Sequence, residues 1–284
     1  MRIIWLIVTV TVVGCAFEPP SLVGLPGDGQ DGGMQPGEDS GPSGPTIALT
    51  GLVQDLDADR GVTASNMEVS DWVNQAATGG DDVSTNRGTV LVVANAANGH
   101  DALGFSDSRM ASDDQSAFDA IMQGNGYTVF VVVRPAMQDQ TIKNVIFGTL
   151  LDTAPFNGVT LGAADAGANP YVMPRPSDVD IFVQSSQMRA NQWTILAARL
   201  SAGRNLQTAE LFIDSTTAIE SGTVNIPGDT DSGPLSVGSE RIGGTEHFDG
   251  DLARILIYSR PLTDAEFRET GQALSALYGI TTQF

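Results

Sequence analysis

Seven short apolar runs, each closed by residues that break regular structure, limit what this chain can fold into. They read TVLVVA from Thr89, YTVFVVVRP from Tyr127, NVIFGTLL from Asn144, VDIFVQS from Val179, WTILAARL from Trp193, AELFIDS from Ala209 and GDLARILIYS from Gly250. Each has about 5 to 9 residues dominated by Val, Ile, Leu, Thr and aromatics, and Gly, Asn, Asp, Pro or Ser bounds each one, which is how strands are punctuated. Many strands separated by turn signals predict a sandwich or a barrel.

Only two segments read as helix. SAFDAIMQG, from Ser116 to Gly124, is short, with Phe118, Ile121 and Met122 at helical spacing. The second, Thr263 to Leu277, carries a complete start signal: Thr263 as N-cap and Glu266 three residues on form a capping box. Phe267, Leu274, Leu277 and Tyr278 then share one stripe, and Gly279 supplies the stop. This helix is expected to lie against the sandwich.

The first fifty residues follow different rules. After Met1 and Arg2, the run IIWLIVTVTVV is uncharged and ends in Gly14-Cys15. It is shorter than the roughly 20 residues a membrane-spanning helix needs and suits the apolar core of an export signal. Cys15 is the single cysteine of the chain, so it has no internal disulfide partner. VVGC resembles the lipobox of bacterial lipoproteins. That resemblance implies diacylglycerol on Cys15, a mature chain starting there, and a lipid anchor in the membrane. With Ala16 rather than aspartate next, it further implies sorting to the outer membrane of a Gram-negative cell envelope.

From about Ala16 to Pro45 the chain is mostly Gly, Pro, Asp, Glu, Ser and Gln, without Lys or Arg. Too little apolar surface is present to offset the entropy of ordering, so a disordered tether is expected. The formal net charge is −20 over 284 residues, with 14 Lys and Arg in total. Nucleic acid is excluded as a partner, because phosphates are bound by displacing counterions with Lys and Arg.

Three aspartates alternate in LVQDLDADRGVT: Asp55, Asp57 and Asp59. A calcium loop of EF type needs Gly at position 6 and Glu at position 12, which here are Arg60 and Asn66, so that reading fails. The alternation reads instead as a strand with Leu52, Gln54, Leu56 and Ala58 on one side, the aspartates facing solvent or a basic neighbour, and a turn at Arg60-Gly61. Other acidic loops remain open as a structural calcium site, and Asp229 and Asp231 in GDTDSG are the candidates.

No catalytic residue is assigned. His100 and His247 are the only histidines and neither lies in a nucleophile motif. EHFDGD, from Glu246 to Asp251, is the nearest approach to the paired carboxylates of glycoside hydrolysis, but its spacing departs from the Glu-x-Asp pattern followed by a second Glu. Trp72 and Trp193 fall in strand-like positions and are expected in the core.

The segment FDGDLARILIYSRPLTDAEFRETGQALSALYGI, Phe248 to Ile280, resembles the closing segment of laminin-G-like, concanavalin A-like jelly-roll domains. LDADRGVT, VSDWVNQ, FVVVRP, WTILAARL and AELFIDS match other parts of such domains in order. Where those domains usually carry Glu after the Ala of the last strand, this chain has Arg254. The expected alternation puts Arg254, Leu256 and Tyr258 on one face and Ala253, Ile255 and Ile257 on the other.

The predicted protein is therefore all-β: a two-sheet antiparallel jelly-roll sandwich with a short C-terminal helix over residues 47–284. A lipoprotein signal peptide at 1–14 and a lipidated, disordered tether at 15–46 precede it. The resemblance implies a non-enzymatic, lipid-anchored envelope protein that binds carbohydrate or a surface protein. A divergent polysaccharide hydrolase and a purely structural or adhesive component are the alternatives.

Overall fold

The computed structural model describes residues 44–114, 116, 118–136, 144–154, 156–164, 169–175, 181–182, 190–226 and 231–284. Cys15, nearly all of the tether and Asp229 lie outside the described residues. In chain order the strands are β1 (Leu52–Asp57), β2 (Val62–Ser65), β3 (Glu68–Trp72), β4 (Val83–Arg87), β5 (Leu91–Ala97), β6 (His100–Phe105), β7 (Arg109–Ala111), β8 (Tyr127–Pro135), β9 (Asn144–Gly148), β10 (Gly158–Ala164), β11 (Asn169–Arg175), β12 (Ile181–Phe182), β13 (Thr194–Leu200), β14 (Gln207–Ile213), β15 (Glu220–Val224), β16 (Ser236–Val237) and β17 (Gly250–Tyr258). Among the described residues a single α-helix, α1 (Asp264–Tyr278), follows the last strand.

One layer runs β1-β17-β8-β13-β14-β15. The other runs β2-β3-β4-β7-β16-β9-β10-β11-β12. The β5–β6 hairpin joins them, because β6 pairs with the start of β17 while Leu91 of β5 pairs with Glu68 of β3. The result is one connected antiparallel network of 17 strands folded into two layers, the jelly roll that the strand pattern predicts.

Alternation explains why the central runs are apolar throughout. Val129, Val131 and Val133 of β8 face the other layer and meet residues such as Trp72, Met110, Phe147 and Leu161. Phe130 and Val132, pointing the opposite way, lie in a second core with Phe267, Leu274 and Tyr278 of α1. A strand covered on both faces has no polar side to show, which is the reason YTVFVVVRP lacks one. The rings of Phe130 and Phe212 stand 4.7 and 4.5 Å from that of Phe267. Each such side chain, fully buried, contributes about 1.5 to 3 kcal/mol of transfer free energy.

Helix α1 begins as its sequence predicts. Thr263 Oγ1 accepts from the Glu266 N–H at 3.3 Å, and the Glu266 carboxylate accepts from the Thr263 N–H at 2.9 Å. Arg260 grips that carboxylate with Nη2 at 2.6 Å and Nη1 at 2.9 Å, holding its pKa down at about 2. Gly279, with φ 64°, ends the helix in the left-handed conformation.

Several expectations need correction. The helix expected over Ser116 to Gly124 is present as a wide helical turn, Ile121–Asn125, kinked by the φ of 102° at Gly124. Ala253 does not share a face with Ile255 and Ile257: a bulge between Leu252 and Arg254 turns it toward the helix-side core. Likewise, a register shift between Leu52 and Gln54 sends Leu52 to the helix side, while Leu56 faces the inner core.

Asp55 and Asp57 are buried. Arg254, whose side chain is only 7% exposed, donates from Nε and Nη2 to the two Asp55 oxygens at 2.9 and 2.8 Å. Its Nη1 lies 3.5 Å from Asp57, and Arg60 reaches Asp57 from outside, Nε donating at 2.9 Å. Burial works against the Arg254 charge, and the hydrogen bonds to Asp55 outweigh it, raising its pKa above the ordinary value. Of the two faces open to the aspartates, they take the basic neighbour, and it is the arginine that departs from the resemblance.

Candidate functional site

An open pocket of about 600 Å³ lies beside the C-terminal end of α1. Three segments meet there. The two-residue turn Asn98-Gly99 between β5 and β6, with φ of 52° and 87°, brings Asn98 over the helix end, where its Nδ2 donates to the Leu277 carbonyl at 3.0 Å. The start of β13 supplies Gln192, Trp193 and Thr194. The end of β14 supplies Asp214, beside which the chain's last residues run: the Gln283 N–H donates to the Asp214 carbonyl at 2.6 Å.

The aromatic wall is fixed from behind. Trp193 Nε1 donates to the Ala96 carbonyl at 2.9 Å, and the Arg134 guanidinium sits 5.0 Å from the ring centroid. Arg134 is itself paired to Asp251, Nε donating at 2.7 Å. Trp193 is half-buried rather than enclosed, which separates it from Trp72, a fully buried core residue as expected.

Asp214 gives the pocket its charge. Its Oδ1 accepts from the Ile195 N–H at 2.7 Å, and burial pushes its carboxyl pKa up to about 6 against the opposing effect of that hydrogen bond. It has no ion-pair partner among the described residues. Tyr278, buried, closes the floor, its phenol raised above its ordinary pKa chiefly by burial. An aromatic ring among Asp, Asn, Gln and Thr side chains offers an apolar plate and several hydrogen-bond acceptors, which suits a hydroxylated ligand.

The residues singled out from sequence lie elsewhere. His100 Nδ1 meets Asp59 at 2.5 Å, and its ring packs edge-on to Tyr278 at 5.2 Å. His247 is nearly enclosed, its Nε2 3.4 Å from Asp107, and its pKa is lowered by burial and by Arg87. Asp249 accepts from the Asp107 N–H at 3.1 Å and Asp251 from Arg134 Nε at 2.7 Å, so these two carboxylates of EHFDGD are engaged by different partners. Asp231 is exposed in the loop before β16. Among the described residues no three His, Cys, Asp or Glu side chains come close enough to hold a metal ion, and Asp229, the other half of the calcium candidate, lies outside them.

Sequence reading missed Asp214 and the pocket role of Trp193. Both stand at strand ends, where Asp reads as turn chemistry and Trp as core filling. The antiparallel register of β13 and β14 sets Asp214 opposite Ile195, two residues from Trp193, and the C-terminal tail runs alongside.

Residues 106–267 match the family described as the concanavalin A-like lectin/glucanases superfamily. No curated protein sequence matches the chain. Among solved structures, the chain is similar to Trypanosoma rangeli sialidase in complex with 2,3-difluorosialic acid, with 14% identity and a TM-score of 0.54, covering 81% of this chain and 34% of the sialidase. The same sialidase with the inhibitor DANA gives 14% identity and a TM-score of 0.55, covering 80% and 33%. Domain 4 of AbnA, a GH43 extracellular arabinanase from Geobacillus stearothermophilus solved with arabinotriose, gives 17% identity and a TM-score of 0.50, covering 78% of this chain and 98% of that domain. The chain thus spans about a third of the sialidase's length. At such identities the likeness is one of fold.

Proposed function

The chain belongs to the concanavalin A-like lectin/glucanase superfamily, and we propose that it recognises carbohydrate at a bacterial cell surface, held there by lipid on Cys15. The pocket of Trp193, Asp214 and Asn98 carries this reading, because it pairs an aromatic plate with fixed acceptors for hydroxyl groups. The fold lends support by analogy alone, as one architecture hosts many functions. The arabinotriose-bound AbnA domain, which the chain covers almost end to end, is the relevant fold neighbour.

Recognition without hydrolysis is part of the proposal. Glycoside hydrolysis uses two carboxyl groups about 5 to 9.5 Å apart across the scissile bond. Asp214 is the one carboxyl among the described residues lining the pocket, and Asp251, which ends the EHFDGD stretch, is paired with Arg134.

A glycan array probed with the full-length protein tests the reading. Binding to one or a few glycans, lost in Trp193→Ala with the fold intact, is the expected outcome. Absence of binding to any glycan removes it, and release of reducing sugar from a bound polymer removes the non-enzymatic part.

A further inference from the structure

Three independent features give the pocket a negative character with nothing in the described chain to balance it. Asp214 is a partly buried carboxylate without an ion-pair partner among the described residues, and burial raises its pKa against the hydrogen bond from the Ile195 N–H. Helix α1 points its C-terminal end at the pocket, with Gly279 and Ile280 in the wall, and its last turn holds no basic residue. A helix C-terminus carries partial negative charge that a cation ordinarily offsets. No Lys, Arg or His lines the pocket among the described residues, and Arg134, behind Trp193, is engaged with Asp251.

We propose that the pocket takes the protonated amine of an amino-sugar-containing saccharide, with the ammonium set between Asp214 and the helix C-terminus and the sugar's apolar face toward Trp193. A primary ammonium has three donors and no acceptor, which matches a cluster of acceptors better than a hydroxyl, serving as both, does. An aromatic ring beside the charge adds cation–π attraction. A negatively charged chain draws such a ligand in, and the exposed mouth of the pocket lets it enter. This inference rests on the carbohydrate-recognition reading and names its ligand class.

The test compares calorimetric titrations of the full-length protein in detergent with the glucosamine tetramer and with its fully N-acetylated counterpart, near neutral pH and at low salt. These differ in the charge on the nitrogen and in the acetyl group that replaces it, and the two variants below separate charge from bulk. The amine form should bind at least about tenfold more tightly, the scale of one charge-assisted hydrogen bond. Asp214→Asn, which keeps an oxygen to accept from Ile195, should erase that preference. Thr281→Lys, a change at an exposed wall position, places a competing ammonium in the pocket and should erase it too, without touching Asp214. Equal affinity for the two tetramers, or a preference that survives both variants, overturns the inference and leaves carbohydrate recognition standing. If neither tetramer nor any array glycan binds, both fall together.

Discussion

Two side chains show how far a residue's environment departs from its type. The Asp214 carboxyl titrates near pH 6 in the fold because burial disfavours its charge. In the unfolded chain it titrates near its ordinary 3.8, so between those values the folded state binds the proton more tightly. Its contribution to stability is therefore highest below about pH 4 and falls as pH rises through about 6. Asp214→Asn should raise the melting temperature at pH 7 and change it little at pH 4, read by calorimetric scans at both. Thr160 makes the opposite case: its Oγ1 is buried in β10 without a hydrogen-bond partner. Thr160→Val keeps the shape and removes the orphan hydroxyl, and a gain of about 1 kcal/mol in denaturant unfolding is expected. Neither residue could be read this way from sequence. An aspartate ending AELFIDS and a threonine inside a strand are each the commonest choice for the place, and only tertiary closure makes them exceptional.

Among the elements, what was legible depended on whether a signal was local. Helix α1 announced itself through Thr263, Glu266 and Gly279, all within its own length, and it forms within one residue of the predicted bounds. Strand faces were less secure, because a bulge in one strand moves every later side chain, and Ala253 and Leu52 changed sides for that reason. The pairing of Arg254 with Asp55 joins residues 199 positions apart and leaves no local trace. That pair has a predictable weight. Arg254→Met should cost about 3 to 5 kcal/mol, since it takes the bidentate partner from the buried Asp55 and leaves Arg60 alone beside Asp57, whereas Arg254→Met combined with Asp55→Asn and Asp57→Asn should recover much of the loss. Urea unfolding of the single and triple variants distinguishes these outcomes. Thr263→Ala, by comparison, removes one cap and should cost about 1 kcal/mol.

For the whole molecule, the proposed lipid anchor predicts that Cys15→Ala abolishes acyl-lipid labelling and moves the protein to the soluble fraction, and retention on membranes would contradict it. A structural calcium at Asp229 and Asp231 predicts a melting temperature that falls on chelation, and an unchanged value would remove that ion from the fold. The first described residues are fastened to the last elements of the fold. The Ala48 N–H donates to Thr270 of the helix, Arg260 Nε donates to the Thr50 carbonyl, and β1 is laid along β17, the last strand. Drag on a surface-held ligand would therefore be felt first at β1, where the bidentate lock between Asp55 and Arg254 stands behind the opening rungs of the ladder. Stretched between the proposed anchor and a proposed ligand, the protein should yield by peeling back to Asp55 and stopping there, a mechanical fuse with a catch.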